Sequence, residues 1–439
     1  MPDNATSTDP AVQAQLDRLW SLSPGADVLG LERITQLLDR IGNPQLKLPP
    51  VFHMAGTNGK GSTCAFLRAA LEADGKTVHV FTSPHLVRFN ERIRLNGTLI
   101  GDAMLADYLK DVLDQSDGIG ASFFEVTTAV AFLAFARHPA DACIIEVGLG
   151  GRLDATNVLT SPAMCGIAQL GIDHQAFLGN TLPEIAAEKA GIAKPGVPLV
   201  TARYSTALSP VIEAAANTAQ AKWLPMGTDW DAAVYRERLH YRDAWGKLDL
   251  PLPRLPGPHQ PMNAALAVAM LRHQDAVPVS EAALKVAPLW AQWPARLQRL
   301  ESGPLVEALP SGSVVWLDGG HNAAAGEMLG KFLDSLPSEG RQFHLIVGML
   351  ANKDVDAFLA PLKGKISHIH ALPVARHDCH EPERFHMVAN HWKIGFSAYN
   401  NAEQAISKIA EAGQPVQILI TGSLYLAGEI LRLNDQLPD

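Results

Sequence analysis

The stretch His53-Met54-Ala55-Gly56-Thr57-Asn58-Gly59-Lys60-Gly61-Ser62-Thr63 sets three glycines, a lysine and a run of hydroxyl side chains between an apolar run and a helical pattern. Glycines let the backbone bend and bring its N–H groups close to an anion. The lysine adds a compact positive charge, and the helix N-terminus adds its dipole. The chemistry this suits is the binding of a nucleoside triphosphate. The common phosphate-loop pattern G-x-x-x-x-G-K-S/T carries a hydroxyl after the lysine for Mg²⁺. Gly61 stands there instead, so the metal ligands are expected from elsewhere. Without a ligand, the same stretch is a glycine-rich strand-to-helix turn.

Glu146-Val147-Gly148-Leu149-Gly150-Gly151-Arg152-Leu153-Asp154-Ala155-Thr156-Asn157 is the second signal. Glu146 closes an apolar strand, the end at which open α/β sheets bind ligands. A carboxylate there suits Mg²⁺ held against a triphosphate. The other reading is a loop with an internal Arg152–Asp154 pair. Ser83, before Pro84, either supplies the missing hydroxyl or is a turn residue. His174 follows the run Ala163–Leu170 and is either an edge histidine in a hydrogen bond or a metal ligand. Glu184, Glu188 and Lys189 share one predicted helix, where solvated charge is the ordinary reading. Asp318-Gly319-Gly320-His321-Asn322 and Thr421-Gly422-Ser423 again set polar groups and glycines after strands. They either face a ligand cleft or cap the helices that follow.

Parallel α/β layers would position these groups. Strands are expected at Thr77–Ser83, Ala142–Val147, Ala163–Leu170 and Pro198–Ala202, with helices at Ala103–Gln115, Val126–Arg137 and Pro183–Ala193. Short polar–apolar alternation over 222–256 predicts a small antiparallel insertion. A second α/β series follows, with strands at Val314–Leu317, His344–Val347, Ile366–Leu372 and Val416–Thr421. Pro294 disfavours helix through Trp293 and marks the junction.

At 439 residues the chain is long for a single core, so two or three domains are expected. A net charge of −9 gives no support for non-specific nucleic-acid binding. Cys64, Cys143, Cys165 and Cys379 lie far apart without C-x-x-C spacing, which argues against a disulfide scaffold or zinc site. Met1–Pro10 lacks the layout of a secretion signal. No apolar run approaches the ~20 residues that cross a bilayer. A soluble cytoplasmic protein is expected.

Together these segments resemble the folylpolyglutamate synthase/dihydrofolate synthase family, a branch of the Mur ligase superfamily. The resemblance rests on Gly56–Thr63, Ser83-Pro84-His85-Leu86, Glu146–Asn157, Asp173-His174, Glu188-Lys189-Ala190-Gly191-Ile192, Asn263, Arg296, Asp318 and His321-Asn322. Leu29-Gly30-Leu31-Glu32-Arg33 is similar to the family's N-terminal segment. The resemblance implies a P-loop ATPase domain over residues 1–296, with a parallel-rich sheet and the small antiparallel insertion. A Rossmann-like glutamate-ligase domain would follow over residues 297–439. It also implies that Asn58, Gly59, Lys60, Gly61 and Ser62 hold ATP phosphates, that Asn263, Arg296 and Asp318 contact ATP, and that Ser83, Glu146 and His174 ligate Mg²⁺. Lys189 would be a carbamylated lysine. Val28, Leu29, Ser122, Phe123, Phe124, Glu125, Leu153, Asp154 and Ala155 would line a pterin pocket, and His321 and Ser423 would seat glutamate. Two departures concern backbone shape: Ala323 replaces the usual proline after His-Asn, and Ala295 replaces the usual glycine before the arginine.

The implied reaction is ATP-dependent joining of glutamate to dihydropteroate and to reduced folates through an acyl phosphate. Lys60, Lys189 and His321 would be its principal catalytic side chains, and a monomer acting on small molecules is expected, with no nucleic-acid or membrane partner. The rival readings are folylpolyglutamate synthesis alone, a Mur-type ligase acting on a UDP-linked substrate, and an ATP-hydrolysing switch.

Overall fold

Val51–Ala55 (β1) is buried at all five residues, including His53. Such a run suits a central parallel strand covered on both faces. In the computed structural model, which describes residues 5–22, 29–337 and 342–439, β1 lies between two parallel neighbours. The other strands of this sheet are Val78–Phe81 (β2), Ile93–Leu95 (β3), Thr98–Leu99 (β4), Ala142–Glu146 (β5), Met164–Ile167 (β6), Pro198–Thr201 (β7) and Lys222–Pro225 (β8). Their order is β4-β3-β2-β5-β1-β6-β7-β8. Only β3 and β4 run antiparallel to their neighbours in it.

The helix Phe123–Arg137 buries almost every side chain, as expected of an apolar helix inside a core. Ser122 Oγ accepts from Glu125 N, and Glu125 Oε2 accepts from Ser122 N, a capping box that fixes where the helix begins. Phe132, Phe135 and Val130 join Phe81, Phe89 and Ile145 in one core. Ile167, Leu199 and Ile212 form a second core cluster with Ala186 and Ile192.

The insertion is a meander of Trp230–Tyr235 (β9), Arg238–Asp243 (β10) and Gly246–Pro251 (β11). It is tied to the helix Gln260–Arg272 by a bidentate pair, Arg272 Nε and NH2 to Asp243 at 2.6 and 2.8 Å. The Asp243 side chain is fully buried, so removing either partner would strand a buried charge.

The chain divides into two units: Met1–Arg254 with Gln260–Gln292, and Leu255–His259 with Trp293–Asp439. The second unit holds Gln298–Leu300 (β12), Val314–Leu317 (β13), Phe343–Val347 (β14), His368–Ala371 (β15), Gly395–Ala398 (β16) and Gln417–Thr421 (β17). The order is β12-β13-β17-β14-β15-β16, parallel apart from β12. Leu345, Val347, Ile369 and Leu419 pack there against Phe332, Phe358 and Phe385. The architecture is α/β, a P-loop-type sheet unit followed by a Rossmann-like one.

Strands β3, β4, β8, β12 and β16 are not among the expected ones. Each is two to four residues long, too short for a period of two to register. Among the described residues, no helix is long and apolar enough to cross a membrane.

Candidate active site

Lys60 opens the helix Lys60–Ala73 directly after Gly59, whose φ of 84° is the left-handed conformation that glycine adopts at no steric cost. A side chain at Gly59 would also meet Asn263, since a Cβ there would lie 2.6 Å from Asn263 Oδ1. Thr57 N and Asn58 N both donate to Gln169 O, at 2.8 and 3.2 Å, which fixes the loop's outer strand. Lys60 Nζ donates back to Gly56 O at 3.2 Å and lies 4.0 Å from Glu146 Oε1. Ser62 is buried, and Gln260 Nε2 donates to its hydroxyl at 3.3 Å. Asn263 Nδ2 donates to Gln260 Oε1 at 3.0 Å. Gln260, fully buried, was not anticipated. Its signal is its place three residues before Asn263, one turn away on the same helix face.

Glu146 ends β5, 4% exposed, and its Oε2 accepts from Ser83 N at 3.2 Å. Ser83 and Glu146, both expected at a metal, are thus neighbours. His174 stands apart from the strand end it was expected to follow. β6 closes at Ile167, and His174 caps a short helix at φ 51° with its side chain 47% exposed, 4.0 Å from Asp173. Among the described residues no three His, Cys, Asp or Glu side chains are gathered as a metal site. The expected set contains only two of those types, Glu146 and His174. What its chemistry does offer is a buried carboxylate beside a hydroxyl residue, oxygen donors of the kind Mg²⁺ takes.

Lys189 is not a solvated helix charge. It is 5% exposed near the end of the helix Leu182–Ala190. Burial, reinforced by the nearby charge of Lys60, brings its amine down to about 7, against the opposing pull of Asp173, Asp154 and Glu188. Gly151 explains how the next loop reaches this helix: a Cβ there would stand 2.7 Å from Glu188 O. Arg152 pairs with Glu188 at 2.7 Å, not with Asp154. Asp154 is buried and receives Leu149 N at 2.8 Å, Thr156 N at 3.0 Å and Thr156 Oγ1 at 2.5 Å. Burial pushes its carboxyl up, while those bonds pull the other way.

The segments expected around a pterin meet one another. The Phe124 ring lies over Gly148, where any Cβ would collide with it. Arg33 Nε donates to Glu125 Oε2 at 3.0 Å, bringing in the Leu29–Arg33 segment. Leu29 and Leu153 are half-buried, and Ala155 is buried. Phe123 points into the core, stacked on Trp20 at 5.0 Å. Ser122 and Glu125 are engaged in the helix cap. Val28 lies outside the described residues.

In the second unit, Asp318 directly follows β13, and its oxygens accept from Leu297 N at 2.9 Å and Gly320 N at 2.7 Å. A Cβ at Gly319 would stand 2.2 Å from Leu424 Cδ2 and 3.3 Å from Arg296 NH1, so the glycine leaves room chiefly for Leu424. His321 Nδ1 donates to Gly319 O at 2.8 Å, which places a proton on Nδ1. Asn322 and Ser423 cap the helices Ala323–Ser335 and Leu424–Leu433. β13 and β17 are adjacent, so Asp318, His321 and Ser423 follow neighbouring strand ends.

Residues 307–433 match the family model described as dihydrofolate synthetase, C-terminal domain. The chain is 34% identical to the dihydrofolate synthase/folylpolyglutamate synthase of Bacillus subtilis (strain 168) over 421 residues, which cover 91% of this chain and 94% of that protein. Escherichia coli FolC in complex with DHPP and ADP superposes with a TM-score of 0.86 at 31% identity, covering 98% of this chain and 99% of that one. A bifunctional folylpolyglutamate synthase/dihydrofolate synthase with Mn, AMPPNP and L-glutamate bound gives 0.84 at 28% identity, covering 97% and 98%. On sequence and fold alike, the chain belongs to the dihydrofolate synthase/folylpolyglutamate synthase family of the Mur ligase superfamily.

Proposed function

We propose that this protein is an ATP-dependent ligase that joins L-glutamate to dihydropteroate, and to the γ-carboxylate of reduced folates, through an acyl phosphate. The observation that carries this reading is the convergence of Lys60 and Glu146 on the glycine loop after β1, with Lys189 buried within reach of the Lys60 charge. Relatives that bind ADP with DHPP, or Mn, AMPPNP and L-glutamate, support it.

A carboxylate is a poor acyl donor. Transfer of the terminal phosphoryl group to it releases ADP and gives an acyl phosphate. The amine of glutamate then attacks the acyl carbon, phosphate leaves, and the amine proton passes to solvent. The protein's part is positioning and electrostatics. Main-chain N–H groups from Asn58 to Ser62 would cradle the phosphates, and Lys60 would swing from the Gly56 carbonyl to the transferring group. Glu146 and Ser83, with His174, would hold Mg²⁺, which when bound neutralises phosphate charge. Asn263, Arg296 and Asp318 are assigned to the nucleotide, and His321 and Ser423 to glutamate. Leu29, Ser122–Glu125 and Leu153–Ala155 are assigned to the pterin. Lys189, with much of its amine neutral near pH 7, is suited to add CO₂ at nitrogen and lose a proton, becoming a carbamate. The substrates are small molecules, and we assign the enzyme to the cytoplasm as a monomer.

Incubation with ATP, Mg²⁺ and glutamate, supplying dihydropteroate or tetrahydrofolate in turn and weighing the products, tests the reading. One added glutamate on each acceptor is expected. Extension of tetrahydrofolate alone would restrict the enzyme to folylpolyglutamate synthesis, and no product from either acceptor would refute the assignment.

A further inference from the structure

Three fully or nearly buried side chains form a chain from β1 into the loop after β5. His53 Nε2 lies 2.9 Å from Thr156 Oγ1, and Thr156 Oγ1 lies 2.5 Å from Asp154 Oδ1. His53 and Thr156 are 0% exposed and Asp154 is 3% exposed. The direction of this chain follows from proton counting. Both Asp154 oxygens already accept main-chain N–H bonds, from Thr156 and from Leu149, so the carboxylate is the acceptor end. Thr156 has one hydroxyl proton and gives it to Asp154, at a length proper to a charge-assisted O–H···O⁻ bond. The proton between His53 and Thr156 must then come from His53, which is held as the Nε2–H tautomer. His53 Nδ1 is left without a partner among the described residues. A neutral ring is what this requires, and burial, with the charge of Lys194, lowers the His53 imidazole to about 3.

We propose that His53 and Thr156 are positioning residues for Asp154, fixing from the central strand the orientation in which the loop meets its pterin-bearing substrate. This rests on the assignment of Asp154 to the pterin in the proposed function. The same strand runs on into the phosphate loop, so β1 sets the geometry of both ligand loops from one buried element. Asp154 also caps the turn Ala155–Val158, so the hydroxyl and the cap act on one carboxylate.

Thr156→Val keeps the side chain's volume and removes the hydroxyl. Loss of a hydrogen bond to a charged group predicts a KM for dihydropteroate raised by about tenfold or more, with nucleotide affinity unchanged. Thr156→Ser restores the KM. His53→Gln, whose amide N–H can replace Nε2–H, is milder than His53→Leu. Nitrogen NMR of the wild-type imidazole should report the proton on Nε2. A proton on Nδ1, or a folded Thr156→Val enzyme with normal KM, overturns the relay. So does equal weakening of nucleotide and pterin binding, which would mark a merely structural role. Asp154→Ala separates the two levels. If it leaves the dihydropteroate KM normal, the pterin assignment itself fails. If it raises that KM while Thr156→Val does not, only the relay fails.

Discussion

Each unit of the molecule sets a carboxylate at the C-terminal end of a parallel strand with glycines following, Glu146 as the last residue of β5 and Asp318 directly after β13, yet the two carboxylates make different contacts. Asp318 accepts from Gly320 N, two residues on, and from Leu297 N. Asp154 is bound in the same way by Thr156 N, also two residues on. Glu146 accepts from Ser83 N on the neighbouring strand's loop and lies 4.0 Å from Lys60. Asp318 and Asp154 each take the amide two residues on in their own turn, and Asp318 adds the more distant Leu297 N, whereas Glu146 takes its amide from another loop. The short carboxylates pin loops, and the long one is directed at Lys60.

Substitution should separate these roles. Lys60→Ala and Glu146→Ala are each expected to lower ligation by at least about a thousandfold, because both act on the charge of phosphoryl transfer. Circular dichroism and melting should stay normal, and measurable turnover near wild type would break the comparison at its active end. Lys189→Ala should lose activity and recover part of it with added short carboxylates, which would stand in for the carbamate. Forming the carbamate from the ammonium releases two protons, one to free the amine and one on adding CO₂. At fixed dissolved CO₂ the modified-to-unmodified ratio should therefore fall about a hundredfold per pH unit below about 7 and about tenfold per unit just above it. Intact mass against pH should show the modified fraction collapsing below that value. A modified mass that persists unchanged well into acid would remove the proposal.

Asp318→Ala should act on stability first. It strands the buried N–H of Leu297, at a cost of roughly 1–3 kcal/mol, and frees the half-buried N–H of Gly320, read as an earlier midpoint in urea. An unshifted midpoint would mean that the pin is not needed. The smallest effect concerns Ala323, the first residue of the helix Ala323–Ser335. Proline is preformed for that position, so Ala323→Pro should stabilise by about 0.4–1 kcal/mol. Destabilisation would show that the Ala323 amide has a partner that matters.

Much of this arrangement was legible in the sequence because glycine and charge report local geometry. Gly59, Lys60 and Glu146 stand where a strand-loop-helix reading places them. Ala295, in place of the glycine more usual before the arginine, carries a φ of 55°, so it sits where glycine is at ease. Lys189 was opaque for the opposite reason. On its helix it reads as a charge for solvent, and its burial shows only in the folded chain. His53 and Gln260 were equally hidden. A histidine inside an apolar strand and a glutamine beside a proline carry no period of their own. Their meaning lies in partners 103 and 198 residues distant, Thr156 and Ser62. The five short strands escaped because edge segments of two to four residues are set by pairing more than by pattern.

The central claim is that ATP energises the substrate acid itself. Dihydropteroate carrying heavy oxygen in its carboxylate, incubated with ATP and glutamate, tests this most directly. The account predicts that one heavy oxygen appears in the inorganic phosphate for each glutamate joined. Phosphate released without the label, or released at the same rate when glutamate and dihydropteroate are withheld, would contradict it.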